Sequence, residues 1–258
     1  MVNVSLKEKL QRDQCVLGAF VPMRSSEVIE ILGTAGFDFL ILDCEHGSMS
    51  PSEIPCLVHA AENVNIPVVV RLGGLVPNSE NVLKVLDSGA IGVQVPHVDN
   101  GSIAKDCVSY VKYPPVGKRG YAASARAAYL NKKKGLAYID WANRETVVVA
   151  QIESVEALDN LGEILRVEQI DVFFIGPTDL ALTLGEDNPH GPNVLNTIER
   201  AIQQIRSAGR IVGIFAQTPQ DVRYWYGLGV RYIATSAVGI FSSASKGFVS
   251  DSLGNMKG

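Results

Sequence analysis

With 258 residues, 47% of them hydrophobic and 19% charged, the chain suits one large α/β domain with a sizeable core and is too apolar for an extended disordered segment. A formal charge of -4, with no basic run beyond Lys132-Lys133-Lys134, gives nucleic acid little electrostatic reason to bind. Met1 to Leu10 holds no long apolar h-region and no stretch reaches about 18 uninterrupted apolar residues, so the sequence reads as cytoplasmic, with no membrane partner. Cys15, Cys44, Cys56 and Cys107 lack paired spacing, which argues against a disulfide framework or a structural zinc site.

In chain order, Ser5 with Glu8 predicts a short capped helix that closes the bottom of the molecule. Eight short runs rich in Val and Ile then alternate with polar loops and helix-period segments, the pattern of βα units around a parallel sheet. The predicted strands are Val16 to Phe20, Phe37 to Leu42, Pro67 to Val70, Ile91 to Val95, Thr146 to Ile152, Ile170 to Ile175, Ile211 to Phe215 and Tyr232 to Thr235. Ser50-Pro51-Ser52-Glu53 reads as a capping box with proline at the first helical position, and Thr218-Pro219-Gln220-Asp221 repeats the start. Ile198, Ala201, Ile202 and Ile205 predict an outer helix from Asn196 to Ala208, ended by Gly209. Tyr113 to Asn131 is the one long irregular connection, and a helix-like segment follows around Leu136 to Ala142. Eight units favour a closed (β/α)8 barrel of the α/β class, a single domain over residues 1–258, in preference to an open doubly wound sheet.

In a barrel, catalytic groups come from the carboxyl ends of different strands, and polar residues collect there. Strand two ends in Asp43-Cys44-Glu45-His46-Gly47, strand three in Arg71, strand four in Pro96-His97, strand five in Gln151-Ile152-Glu153 and strand six in Gly176-Pro177-Thr178-Asp179. Glu153 and Asp179 can converge on one hard cation, leaving positions for a chelating α-keto acid, or each can cap a helix or pair with a surface base. Gly176 to Leu180 reads as a strand turning directly into a helix, an arrangement that suits a substrate carboxylate and also an ordinary αβ turn. Asp43 is placed to orient the His46 imidazole as a general acid or base. Arg71 interrupts an apolar strand, so its charge faces a polar mouth or pairs with Glu45, and both can hold. Cys44 reads as a space-filling residue rather than a nucleophile. Lys7, Lys9, Lys84, Lys105, Lys112, Lys118, Lys132 to Lys134, Lys246 and Lys257 all fall away from strand ends, which favours metal over imine chemistry.

Gly18-Ala19-Phe20, Leu42-Asp43-Cys44-Glu45-His46-Gly47, Val70-Arg71, Lys118-Arg119-Gly120, Gln151-Ile152-Glu153 and Gly176-Pro177-Thr178-Asp179-Leu180 resemble, in order and over nearly the whole chain, the HpcH/HpaI aldolase family. The resemblance implies a phosphoenolpyruvate/pyruvate-type barrel and a class II aldolase. Such an enzyme cleaves a 4-hydroxy-2-oxo acid or a 2-keto-3-deoxy sugar acid reversibly to pyruvate and an aldehyde, through a pyruvate enolate at a divalent cation, Mg2+, Mn2+ or Co2+. It implies Glu153 and Asp179 as metal ligands, Arg71 as the enolate stabiliser and the Asp43–His46 pair as mover of the 4-hydroxyl proton. It further implies Gln151 as a pyruvate contact and the amides of Thr178 and Asp179, in the Gly176-Pro177 turn, as the carboxylate site. It also implies a homo-oligomer, a hexamer or trimer of dimers with the last helix exchanged between barrels, since the segment after Gly239 reads as too polar to pack alone.

Two positions depart from the family pattern. Thr235-Ser236-Ala237-Val238-Gly239 stands where a Gly-Ser-Asp-like turn is expected, which affects the aldehyde side. His97 stands where many relatives carry an apolar residue and is similar to macrophomate synthase, which makes its enolate by decarboxylating oxaloacetate; His97 is therefore a further candidate substrate contact. Tyr121 and Arg126 are candidates to reach an active site of the same or a neighbouring subunit. Competing readings are an oxaloacetate decarboxylase or macrophomate-synthase-like enzyme, and a non-catalytic keto-acid-binding barrel.

Overall fold

The computed structural model describes residues 4–74 and 78–253, and Lys257 lies outside them. The first half runs α1 (Leu6–Gln11), β1 (Val16–Val21), α2 (Ser26–Thr34), β2 (Phe39–Asp43), α3 (Ile54–Asn63), β3 (Val68–Arg71), α4 (Ser79–Asp87), β4 (Gly92–Val95) and α5 (Gly101–Val111). After α6 (Arg126–Leu130) and α7 (Gly135–Glu145) come β5 (Val147–Ile152), α8 (Val155–Asp159), α9 (Leu161–Ile164), β6 (Val172–Ile175) and α10 (Pro177–Thr183). The chain continues through α11 (Pro192–Ser207), β7 (Ile211–Phe215), α12 (Pro219–Gly227), β8 (Tyr232–Ser236) and α13 (Ala237–Leu253).

The strands close in sequence order into one parallel barrel, with β1 pairing both β2 and β8. All eight predicted strands are present. Their ends move by a residue or two because the sheet ladder, rather than apolarity, sets where pairing stops. Both faces of the strands are covered, so they read as near-continuous apolar runs, and β2 and β5 are buried throughout.

Alternation along each strand divides the core in two. Val16, Phe20, Phe39, Ile41, Val69, Val147, Val149, Val172, Phe174 and Tyr232 fill the barrel interior, and Leu6 and Leu10 of α1 join that cluster. The predicted cap holds: Ser5 Oγ accepts from Glu8 N–H, and α1 plugs the amino end of the barrel. Gly18 is required inside, since a Cβ there would lie 2.3 Å from the Phe39 ring. The outer layer packs strand faces against helices through residues such as Ile29, Leu57, Val85, Ile198 and Ile202.

Three local expectations change. Thr218 forms the full capping box with Asp221, but the Ser50 segment does not start a helix: Glu53 reaches back to Ser50 N–H at 2.7 Å, residues 51–53 form a turn, and α3 begins at Ile54. The outer helix begins at Pro192, four residues before the predicted Asn196, because Pro192 takes a first-turn position after Gly191. Finally, α13 is not too polar to pack. Phe241, Phe248 and Val249 are 74%, 75% and 56% exposed, so large apolar side chains stand outside the barrel alongside its exposed Ser, Lys and Asp residues. Among the described residues no helix is long and apolar enough to cross a membrane.

Candidate active site

At the carboxyl end of the barrel a cavity of about 390 Å³ opens between the strand ends. Asp43, His46, Arg71, Gln151, Glu153, Gly176, Pro177, Thr178 and Asp179, named from sequence, line it together. His97, Tyr121 and Arg126 are not among the lining side chains. Tyr121 packs on Tyr113 and Tyr138, and Arg126 binds Glu62 and the Ser88 carbonyl beside the amino end of the barrel, so neither serves the mouth of its own barrel. Among the described residues no lysine lines the cavity.

Arg71 is fixed by two carboxylates. Its Nε donates to Asp43 Oδ1 at 2.8 Å and its Nη2 to Asp43 Oδ2 at 2.6 Å, while Nη1 lies 3.1 Å from Glu45 Oε2. A guanidinium matches a carboxylate in this two-bond geometry, and the flat face left over rests 4.7 Å above the Phe20 ring. The ion pair with Glu45 that the sequence left open is therefore present. The expected orientation of His46 by Asp43 is not: Asp43 Oδ1 accepts the backbone N–H groups of Glu45 and His46, at 3.0 and 3.2 Å, and shapes the loop. The His46 imidazole stands at the rim, 64% exposed, with Nε2 3.7 Å from Glu45. A side chain two or three residues after an aspartate is as easily a turn partner as a catalytic one, and the Asx-type turn prevails here.

Burial pushes the Glu45 carboxyl above its usual range; Arg71 opposes this and the Glu153 carboxylate reinforces it. Burial likewise pushes the Cys44 thiol up to about 11, with Asp43 adding to the effect, so Cys44 is a poor nucleophile, as expected.

Glu153 is buried at the end of β5. Oε1 accepts the His97 backbone N–H at 2.8 Å, and Oε2 accepts Gln151 Nε2 at 2.6 Å. His97, with φ of 52°, has Nδ1 3.5 Å from Glu153 and Nε2 3.6 Å from Glu45, and so stands between two carboxylates. Gly176 leaves room for Glu153: a Cβ at that position would lie 2.7 Å from Oε2. Along α10 the first intrahelical bond runs from Leu180 N–H to Gly176 O, so the amides of Thr178 and Asp179 precede it and have no intrahelical acceptor.

The apolar part of the wall, Phe20, Pro22, Phe174, Phe215 and Val238, carries no polar strand-end signal and was not foreseen from the sequence. Inward parity at the last strand positions was the available signal. Ser236 also lines the cavity, and its Oγ accepts Gly239 N–H at 3.1 Å, so the altered turn after β8 works as the start of α13.

Among the described residues no three His, Cys, Asp or Glu side chains gather as a metal cage. The pair Glu153 and Asp179 nonetheless fits a hard divalent cation, because oxygen-only donors with positions left for water and substrate are what such ions accept. The Gly176 cradle adds that the Glu153 carboxylate is accommodated at the wall by design of the turn.

A closed barrel with a carboxylate pair and a doubly anchored arginine facing one cavity is a scaffold for chemistry that develops negative charge on a substrate oxygen. The chain matches the family model HpcH/HpaI aldolase/citrate lyase over residues 16–236 and belongs to that family; it is a lyase of the aldolase kind. It is 37% identical over 240 residues, 91% of this chain and 87% of the other, to 2-keto-3-deoxy-L-rhamnonate aldolase of Escherichia coli strain K12. A solved HpcH/HpaI aldolase/citrate lyase family protein from Burkholderia cenocepacia J2315 superposes with a TM-score of 0.89 at 29% identity, covering 96% of this chain and 99% of that one. Macrophomate synthase superposes with a TM-score of 0.85 over 98% of this chain and 92% of that one, at 22% identity, a likeness of fold alone.

Proposed function

We propose that the enzyme reversibly cleaves a short 2-keto-3-deoxy sugar acid, or a similar 4-hydroxy-2-oxo acid, to pyruvate and an aldehyde. The observation that carries this reading is the placement of Glu153, Asp179, Arg71 and Gln151 around one cavity. Glu153 and Asp179 would hold a divalent cation, Mg2+, Mn2+ or Co2+, which supplies Lewis acidity toward a keto oxygen when bound. The unpaired amides of Thr178 and Asp179 suit the substrate carboxylate. Removal of the 4-hydroxyl proton, taken by His46 directly or through water, lets the C3–C4 bond break. The aldehyde leaves, and the electron pair moves toward the C2 oxygen to give the enolate. Arg71, held rigid by Asp43, stabilises that oxygen, and protonation at C3 completes pyruvate.

The far wall supports a particular kind of aldehyde. Phe20, Pro22, Phe215 and Val238 are apolar, and Arg71 and His46 are the basic side chains that line the cavity among the described residues. With Arg71 engaged and His46 occupied with the 4-hydroxyl proton, no basic side chain among the described lining residues is left for a second carboxylate, which supports a short aldehyde ending in an apolar group. The name of the Escherichia coli relative, a 2-keto-3-deoxy-L-rhamnonate aldolase, agrees with this choice. Oxaloacetate decarboxylation has less support, because His97, which motivated it, has its imidazole beside Glu153 and Glu45 and is not among the side chains that line the cavity. A homo-oligomer, a hexamer in which α13 is exchanged, belongs to the same reading, supported by the exposed Phe241 and Phe248; so does a cytoplasmic location, supported by the sequence features above.

The test is pyruvate release from a panel of 2-keto-3-deoxy acids, with and without chelator and with Mn2+ restored. We expect release from short substrates lacking a second carboxylate, abolished by chelator and recovered with metal. Release that ignores the chelator would overturn the metal mechanism, and preference for a dicarboxylic substrate would overturn the reading of the far wall.

A further inference from the structure

Gln94 lies in the middle of β4, in the run Gly92-Val93-Gln94-Val95, with no exposed surface. A polar side chain placed there is costly unless its groups are paired, and one of them is not. Nε2 donates to Gln151 Oε1 at 2.6 Å, but Oε1 is buried without a partner. Leucine or methionine would fill this interior position and merely exchange one stranded acceptor, Gln94 Oε1, for another, Gln151 Oε1, so the fold gains nothing evident from the amide. What it gains lies one residue further on.

Gln151 is 1% exposed and Glu153 is 2% exposed, and Gln151 Nε2 donates to Glu153 Oε2 at 2.6 Å. An ionised carboxylate only accepts, so the amino end of Gln151 must face Glu153 and its carbonyl end must face Gln94. Gln94 must then present its own amino group, which leaves its oxygen without a donor. The direction of the whole relay is set at Glu153, and the stranded oxygen of Gln94 is its consequence.

We propose that Gln94 is a positioning residue for the lyase reaction, holding the Gln151 amide so that Gln151 offers substrate an N–H donor only and keeps one Glu153 oxygen in place. Resting on the reading of Gln151 as a keto-acid contact, this deepens it: with the carbonyl end capped by Gln94, the group that Gln151 meets in the cavity is an acceptor, a keto or carboxylate oxygen, and a hydroxyl that needs an acceptor is refused.

The experiment measures exchange of the pyruvate methyl protons with solvent, and binding of Mn2+ to the metal-free protein, for the wild type, Gln94→Leu, Gln94→Met and Gln151→Leu, and for the Gln94→Leu/Gln151→Leu double variant. Changing such a supporting partner typically lowers affinity or activity by about 10- to 100-fold. We expect both Gln94 variants to melt no lower than wild type while exchange slows at least about 10-fold and Mn2+ binding weakens. In the Gln151→Leu background, Gln94→Leu should change nothing further, because Gln94 acts through Gln151. Wild-type exchange matched by both variants would overturn the role, as would an equal loss from Gln94→Leu in both backgrounds. Exchange absent from the wild type itself would instead overturn the underlying reading of the reaction.

Discussion

A methyl group at position 176 would sit 2.7 Å from Glu153 Oε2 and 2.9 Å from Glu153 Cβ, inside any normal nonbonded distance. Gly176→Ala therefore moves the carboxylate rather than the barrel. Its expected outcome is a loss of Mn2+ affinity of about 10- to 100-fold with little change in melting temperature, read by titrating the metal-free protein. An unchanged affinity would show that Glu153 does not hold the metal. Arg71 shows how far a residue can be read in advance. A charge interrupting Val68-Val69-Val70 had to be paired or face a polar mouth, and it does both. Asp43 could not be read so far, because its partner Arg71 is 28 residues away while its expected partner, His46, is three.

Among the elements, α12 has the most complete start: Thr218 Oγ1 accepts from Asp221 N–H, and Asp221 Oδ2 accepts from Thr218 N–H. Thr218→Ala should cost about 1 kcal/mol in urea unfolding and leave turnover unchanged, since the cap stands outside the cavity. A second element-level feature ties α5, α7 and β5 at the amino end of the barrel. Lys112 is fully buried, and its Nζ donates to the carbonyls of Asn143 and Thr146 at 2.8 and 2.6 Å. Burial, with the neighbouring Lys7 adding to it, pulls its pKa from 10.5 down to about 7. Above pH 7 the folded chain has released a proton that the unfolded chain still holds, so stability rises with pH across this window. Above pH 9 the trend reverses, since Cys44 and Cys107 keep their protons up to about 11 and about 12 when folded. Urea unfolding at about pH 7 and about pH 8.5 should show the gain in wild type and lose it in Lys112→Met. The same slope in both proteins would remove Lys112 as its source.

For the whole molecule, α13 is the element that the single chain leaves almost wholly exposed. Of its residues only Ala237 is buried, whereas Phe241, Phe248 and Val249 face outward. Large exposed apolar side chains on one helix support the proposed association through α13. Phe241→Glu combined with Phe248→Glu should convert a multimer to single chains in sedimentation velocity, with the barrel still folded by circular dichroism. A variant that sediments like the wild type would count against helix exchange as the basis of assembly.

The sequence by itself determined the eight βα units, their order and most of the polar cavity wall, because strand burial on both faces writes itself as apolar runs and barrel chemistry gathers where those runs end. Only the tertiary structure decided which polar groups touch. It gave Asp43 to Arg71 rather than to the His46 imidazole, set His97 between Glu153 and Glu45, and joined Gln94 to Gln151 across 57 residues of sequence. Periodicity reports which way a side chain faces. The register of neighbouring strands, which brings residues far apart in sequence within 3 Å of one another, sets the partner it meets there, and no local pattern encodes that.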